Sequence, residues 1–280
     1  MFNQHTALTE ESINDYLAFM AVTGLLPRSC KAYGSNLRSL LVWHGQPALS
    51  HDDLETEAMR WLTTSIGSAS SSTIHQRRSS IMSYARWARV GGRDFMAYYR
   101  APKKKRAEAH PIPEGMEGIE RLLQACDTQD EMTLIALCGL MGLRINEAVT
   151  TRTCDVDIIS DPKRPILHVI DGKGNKPRDL PIYPRPLGYI VCRAFADGFS
   201  GGPLVQVEYN QARRRVTQLG VQAGLSRPIS THDLRATFAT DMYQRTKDIL
   251  AVKGWLGHAS VETTVGYCGM AMSQMLAAVA

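Results

Sequence analysis

Four side chains in the last third of the chain are of the types that cut a phosphodiester. They are His232, Arg235, His258 and Tyr267. A tyrosine hydroxyl can attack phosphorus once a base or strong local positive charge offsets its free pKa of about 10. An imidazole can take that proton. The planar fork of arginine suits the non-bridging phosphate oxygens, and the rest of the chain must supply more positive charge and a proton donor. His232 and Arg235 stand at i and i+3, so one turn of helix can present both to one phosphate. Leu256-Gly257-His258 follows, and Tyr267 comes nine positions after His258.

Each of these residues has a plainer reading. Arg144 and Glu147, also at i and i+3, could form a structural ion pair, and an arginine beside an apolar run must be paired or serve a ligand. A lone histidine is more often a satisfied core residue, and most tyrosines simply pack. Shared context, rather than any single residue, favours the chemical reading.

The elements that would position these groups can be read from periodicity. Thr9 caps a helix that carries Glu10 and Glu11 in its first turn and Ile13, Tyr16, Leu17 and Met20 on one face. A second helix starts at Ser29 with Tyr33, Leu37, Leu40 and Leu41 inward. A third carries Leu54, Ala58, Trp61 and Leu62, and residues 67–72 form a loop. A fourth has Ile74, Ile81, Ala85 and Ala88 on its apolar side, with Arg77, Arg78 and Arg86 largely off it. The first hundred residues therefore predict an all-helical domain.

Residues 131–141 predict a mostly apolar, buried helix that runs into Arg144. Residues 156–159, 166–170 and 178–182 read as short strands. Glycines either side of Lys173 place it at the tip of the last hairpin. A further helix carries Arg213, Arg214 and Arg215, and another opens at Thr231.

Charge is unevenly distributed. The net charge is +5, yet residues 1–70 hold four basic and seven acidic residues, whereas residues 71–106 hold ten basic residues and one acid. Such a block is an electrostatic footprint for a polyanion. It ends in Lys103, Lys104, Lys105 and Arg106, in an extended, proline-flanked linker. The six cysteines show no CxxC spacing, so neither a zinc ribbon nor a disulfide framework is indicated, and mostly buried, reduced thiols are expected. No run of about 18 apolar residues exists, and the opening residues lack signal-peptide character, so a cytoplasmic protein is expected. No GxxxxGK[ST] or HExxH pattern and no acidic cluster call for ATP or a metal.

Taken in order, Gly142-Leu143-Arg144-Ile145-Asn146-Glu147, Gly172-Lys173-Gly174-Asn175-Lys176, Thr231-His232-Asp233-Leu234-Arg235, Leu256-Gly257-His258 and Tyr267 resemble the motifs of the tyrosine recombinases, the phage-integrase family. The resemblance covers nearly all of the chain. Ala236 departs from it, standing where histidine is frequent, and residues 160–165 make one sheet connection long.

The resemblance implies a mainly α, two-domain protein. Residues 1–100 would form a helical core-type DNA-binding domain, 101–112 a basic linker, and 113–280 a mostly helical catalytic domain with a small antiparallel β-sheet and a C-terminal tail helix. No separate arm-binding domain is expected. Arg144, Lys173, His232, Arg235, His258 and Tyr267 would be catalytic, with His258 hydrogen-bonding the phosphate and Glu147 orienting behind them. Arg77, Arg78, Arg86, Lys103, Lys104, Lys105, Arg106, Arg213, Arg214 and Arg215 would contact DNA.

The implied activity is site-specific recombination through a 3′-phosphotyrosyl intermediate, with no cofactor, metal or ATP. The implied partners are double-stranded core sites, a homotetramer on DNA and an accessory bending or directionality factor, with no membrane. The tail, with Met272, Met275, Leu276 and Val279 at helical spacing, could fold back onto its own domain; the resemblance implies instead that it docks into a neighbouring protomer. A type IB topoisomerase-like relaxase and a non-catalytic DNA-binding protein are the alternatives.

Overall fold

In a computed structural model, residues 5–103, 110–170, 177–258, 260, 261, 264 and 265 are described. The chain divides into two compact units, Met1–Arg106 and Ala107–Ala280. Lys104, Lys105, Arg106, Lys173, Tyr267, Cys268 and the tail positions 272–279 lie outside the described residues.

The first unit is built on four helices, α1 (Glu10–Val22), α2 (Pro27–His44), α3 (Leu54–Thr64) and α4 (Ser71–Ala88). Thr9 Oγ1 accepts from the Ser12 amide at 3.1 Å while Ser12 Oγ accepts from the Thr9 amide at 2.8 Å. Two of the amide donors that a helix start leaves without partners are thereby satisfied. Helix α2 begins at Pro27 rather than Ser29. A proline at the first helical position forfeits an N–H that had no partner anyway. Ile13, Tyr16, Leu37, Leu40, Leu54, Leu62, Ile74 and Ile81 form the core, as the spacing anticipates.

This unit is not all helical. Strands β1 (Ala7–Thr9) and β2 (Ala48–Ser50) pair antiparallel, with Ala7 opposite Ser50. Three residues are too few to show a strand period, and their partners lie some forty positions apart.

The second unit starts with α5 (Gly115–Gln124) and α6 (Gln129–Ile135). The buried run anticipated over 131–141 is there, but its last turn, Ala136–Leu140, is wound as a π-helix. The Met141 amide bonds Ala136 O, and that of Leu143 bonds Leu137 O. At this helix end the carbonyls of Leu140, Met141 and Gly142 accept side-chain donors from elsewhere: Tyr183 OH, Trp255 Nε1 and Arg235 Nη1 respectively. Gly142 then turns the chain at φ 70°, and Arg144 precedes α7 (Ile145–Thr150).

Strands β3 (Val156–Asp157), β4 (Ile166–Val169) and β5 (Arg178–Pro181) form an antiparallel sheet in that order, with Val169 opposite Arg178. Helix α8 (Pro184–Ala196) is an element the sequence reading did not assign; Pro184 opens it, where a missing N–H costs nothing. Helices α9 (Tyr209–Gln222), α10 (Thr231–Thr246) and α11 (Ile249–Leu256) complete the unit. Among the described residues no helix is long and apolar enough to cross a membrane. The expected burial of the cysteines holds for Cys126 and Cys138 but not for Cys154 and Cys192, which are exposed.

Gly142 combines a left-handed backbone with a Phe238 ring atom 2.3 Å from where a Cβ would sit. Gly142→Ala is therefore expected to destabilise the second unit by about 2–4 kcal/mol. Urea unfolding followed by a probe in that unit checks this, and an unshifted midpoint would contradict it.

Candidate active site

The site is assembled around one carboxylate. Glu147 sits on the first turn of α7 and is 1% exposed. Its oxygens accept from Arg144 Nη1 and the Arg144 amide, both at 2.9 Å, and from Arg178 Nη1 at 3.2 Å and Nη2 at 2.9 Å. Arg235 Nη1 lies 3.7 Å away. Burial alone would raise the Glu147 carboxyl. The hydrogen bonds and charge of Arg178, with the Arg144 amide and the Arg235 charge, outweigh it and hold the pKa at about 2. Three guanidiniums thus face one carboxylate, an excess of two positive charges.

The C-terminal end of α11 supplies the other anchor. Helix-terminal carbonyls lack intrahelical partners and carry partial negative charge, so cations settle there. The Leu256 carbonyl accepts from Arg235 Nη2 at 2.7 Å and from Arg144 Nη1 at 3.5 Å. The Trp255 carbonyl accepts from Arg178 Nε at 2.8 Å. Arg235 is 1% exposed and also donates to Gly142 O, whereas the Arg144 side chain is 33% exposed.

His258 lies next to Arg235, with Nε2 2.9 Å from Arg235 Nη2 and Nδ1 3.0 Å from Thr264 Oγ1. A guanidinium only donates, so Nε2 is the acceptor and the neutral ring carries its proton on Nδ1. Burial, then the charges of Arg235, Arg144 and Arg178, push the His258 pKa down to about 3. Both nitrogens are committed in this arrangement, so a bond from His258 to phosphate requires the ring to give up a contact.

His232 occupies the first turn of α10. That turn is fixed by Asp233, whose carboxylate accepts from the Ser230 amide at 2.6 Å and from Arg227 Nη2 at 2.9 Å. The ring has an edge open to solvent, yet its pKa is lowered, first by partial exclusion of water and then by Arg235, with Arg144 and Arg213 adding. The lowered pKa leaves the imidazole neutral and so available to accept a proton, while the cations around it make it a weaker base than a free ring.

The structure thus brings together Arg144, Glu147, Arg235 and His258 and sets His232 beside them electrostatically. Lys173 and Tyr267 fall outside the described residues. Sequence reasoning missed Arg178, Trp255 and Thr264. Arg178 opens β5 and resembles any strand residue; only its burial betrays it.

The proposed DNA contacts separate. Arg213 and Arg214 are exposed and line a cleft with Ser230 and Thr231. Arg215 turns instead onto Glu131 and Asp127. In the first unit Arg77 stacks on Trp61 at 4.6 Å and donates to Ser65 Oγ at 2.6 Å, so it is engaged in its own fold. Arg78 is half-buried, while Arg86 and Lys103 are exposed.

A mainly helical fold whose arginines surround one buried carboxylate and leave surplus positive charge fits a site that receives a phosphate. Residues 116–274 match the family model described as the phage integrase family, and the chain belongs to that family. It is a site-specific recombinase of the tyrosine type.

The chain is 23% identical to tyrosine recombinase XerD of Staphylococcus haemolyticus, over 95% of the chain and 96% of that protein. It is 27% identical to tyrosine recombinase XerC of Nitrobacter winogradskyi, over 90% and 86% respectively. Among solved structures it resembles a lambda integrase tetramer bound to a Holliday junction, with TM-score 0.70 and 16% identity over 95% of this chain and 78% of that one. It also resembles the XerH recombinase bound to difH substrate in a pre-cleavage complex, with TM-score 0.63 and 17% identity over 100% and 98%. These likenesses bear on the fold.

The depressed His258 pKa has a stability consequence. The unfolded imidazole, at about 6.5, binds a proton that the folded ring refuses until about pH 3. The unfolded state therefore holds more protons between these values, and the His258 contribution is lost as pH falls through that window. The stability gap between the parent and His258→Gln should narrow by about 1 kcal/mol per pH unit on acidification below pH 6. Chemical denaturation at pH 7, 6 and 5 measures it, and a constant gap would argue against a neutral, buried ring.

Proposed function

We propose that the chain cuts and rejoins double-stranded core sites through a covalent 3′-phosphotyrosyl bond to Tyr267. The observation that carries this is the convergence of Arg144 and Arg235 on the Leu256 carbonyl, beside a carboxylate too weak in charge to neutralise its arginines. A non-bridging phosphate oxygen is a stronger, charged acceptor and takes the place of that carbonyl. Charge builds on those oxygens in the transition state, where fixed cations act most strongly.

In the cleavage step His232 takes the phenolic proton as the Tyr267 oxygen bonds phosphorus. The bond from phosphorus to the 5′ oxygen breaks in line, and Lys173 delivers a proton to that oxygen. His258 accepts from Arg235 Nη2 and so fixes the direction of its fork. The new diester retains the energy of the old one, so a 5′ hydroxyl can reverse the step on a second strand without ATP.

Residues 1–100 form the core-type DNA-binding domain in this reading and residues 101–112 a basic strap. Arg78, Arg86, Lys103, Lys104, Lys105, Arg106, Arg213 and Arg214 contribute sequence-independent phosphate contacts. Four protomers assemble on two duplexes, with the tail helix of one docked into the next, and a bending or directionality factor is a further partner.

Tyr267→Phe should still bind DNA but form no covalent adduct on a nicked suicide duplex whose sequence the parent protein selects from a random pool. Denaturing electrophoresis reads the outcome, and an adduct that persists removes Tyr267 from the role. Supercoil relaxation by the parent protein with no dependence on sequence would favour the topoisomerase alternative.

A further inference from the structure

Of the three guanidiniums around Glu147, Arg178 differs from the other two in what it does. Its two terminal nitrogens address the two carboxylate oxygens in parallel, at 3.2 and 2.9 Å, in the forked geometry that makes arginine–carboxylate pairs strong. Its Nε donates to the Trp255 carbonyl at 2.8 Å. Each of its three nitrogens therefore donates within the protein, and its side chain is only 10% exposed. Arg144, by contrast, gives the carboxylate one side-chain nitrogen, and its described side-chain contacts engage Nη1 alone. Arg235 stands off from the carboxylate at 3.7 Å.

A carboxylate buried to this degree must be neutralised, or it draws on the nearest cations. Were Arg178 absent, those cations would be Arg144 and Arg235. Each would then be drawn toward Glu147, at the expense of an incoming phosphate. The held-down pKa of Glu147, for which Arg178 is the main opposing influence to burial, agrees with this.

We propose that Arg178 is a positioning residue for strand cleavage: it neutralises the buried Glu147 carboxylate, so that the charge of Arg144 and Arg235 is left for the scissile phosphate. Arg178 itself does not touch the phosphate. The assignment rests on the recombinase reading above and concerns the same site. It gives Glu147 and Arg178 a joint role, the carboxylate setting the direction of Arg144 through its amide and guanidinium, the second arginine preventing that carboxylate from quenching the site.

The test is a double-mutant cycle in the full-length protein, read as single-turnover covalent adduct formation on the selected suicide duplex, with DNA affinity measured alongside. Arg178→Met should slow adduct formation by about 100-fold while changing DNA affinity by less than about threefold. Adding Glu147→Gln to Arg178→Met removes the charge that Arg178 offset, and should recover at least about fivefold of that loss. A purely structural arginine predicts the reverse, since a second buried substitution makes matters worse. Arg178→Lys keeps the charge but not the fork and should fall between parent and Arg178→Met.

Should Arg178→Met not fold, the lysine variant with and without Glu147→Gln decides by the same sign of coupling. A double variant that cuts no faster than its single, or an Arg178→Met protein that cuts like the parent, overturns the assignment alone. A parent protein that forms no adduct overturns the recombinase reading, and the assignment with it.

Discussion

Everything at the site depends on burying a carboxylate among guanidiniums. Removing Glu147 from water costs several kcal/mol unless it is paired with good geometry. Arg178 and Arg144 supply that geometry at 2.9 Å each, one from the sheet and one from the turn before α7. The ion cluster therefore ties β5 to α7, and the Trp255 and Leu256 carbonyls tie both to the end of α11. A positively charged pocket would otherwise repel itself apart. A single negative charge holds the cations at fixed spacing and leaves two of their charges uncompensated, which is what an anionic substrate needs.

The same economy governs the backbone that carries Arg144. A regular α-helical end would direct its last carbonyls along the axis and leave them for solvent or a cap. The π-wound turn over Ala136–Leu140 and the two residues after it instead hand three successive carbonyls to Tyr183, Trp255 and Arg235. Arg235 is thereby held by the segment that positions Arg144. Phe238, one helical turn beyond Arg235, fills the space over Gly142 that only a residue without Cβ can leave open. Neither arginine can shift without disturbing the other.

Much of this was legible in the sequence, for reasons that differ by element. The helices of the first unit followed from apolar spacing and from Thr9 as a cap, because both are local. The three strands of the second unit were marked by β-branched runs and a glycine-bounded turn. What escaped was non-local: the β1–β2 pairing, the π turn, and the partnership of Arg178 with Glu147 across thirty-one positions. Order and spacing of Arg144, His232, Arg235 and His258 pointed to one phosphate, but they could not tell that Arg215 would turn to Glu131 or that Arg77 would stack on Trp61. A basic residue looks the same in sequence whether it faces a carboxylate or a solvent-filled cleft.

The placement of Arg235 deserves a physical reason, since it is among the largest side chains fully buried in the molecule. A fully buried cation needs acceptors around it, and it finds two carbonyls and an imidazole within 2.9 Å. Neutral acceptors solvate the charge without cancelling it. A carboxylate in the same place would form a closed ion pair that a phosphate could not open. By keeping Glu147 at 3.7 Å and surrounding Arg235 mainly with dipoles, the fold holds a desolvated positive charge that the carboxylate offsets only in part, and its field acts on an anion that reaches it. The depressed His258 pKa follows first from burial and then from the same field, and a ring that accepts from Arg235 cannot also be protonated on that nitrogen. The neutral histidine and the buried arginine are thus coupled: the ring accepts from the guanidinium, and the guanidinium's charge helps to keep the ring neutral.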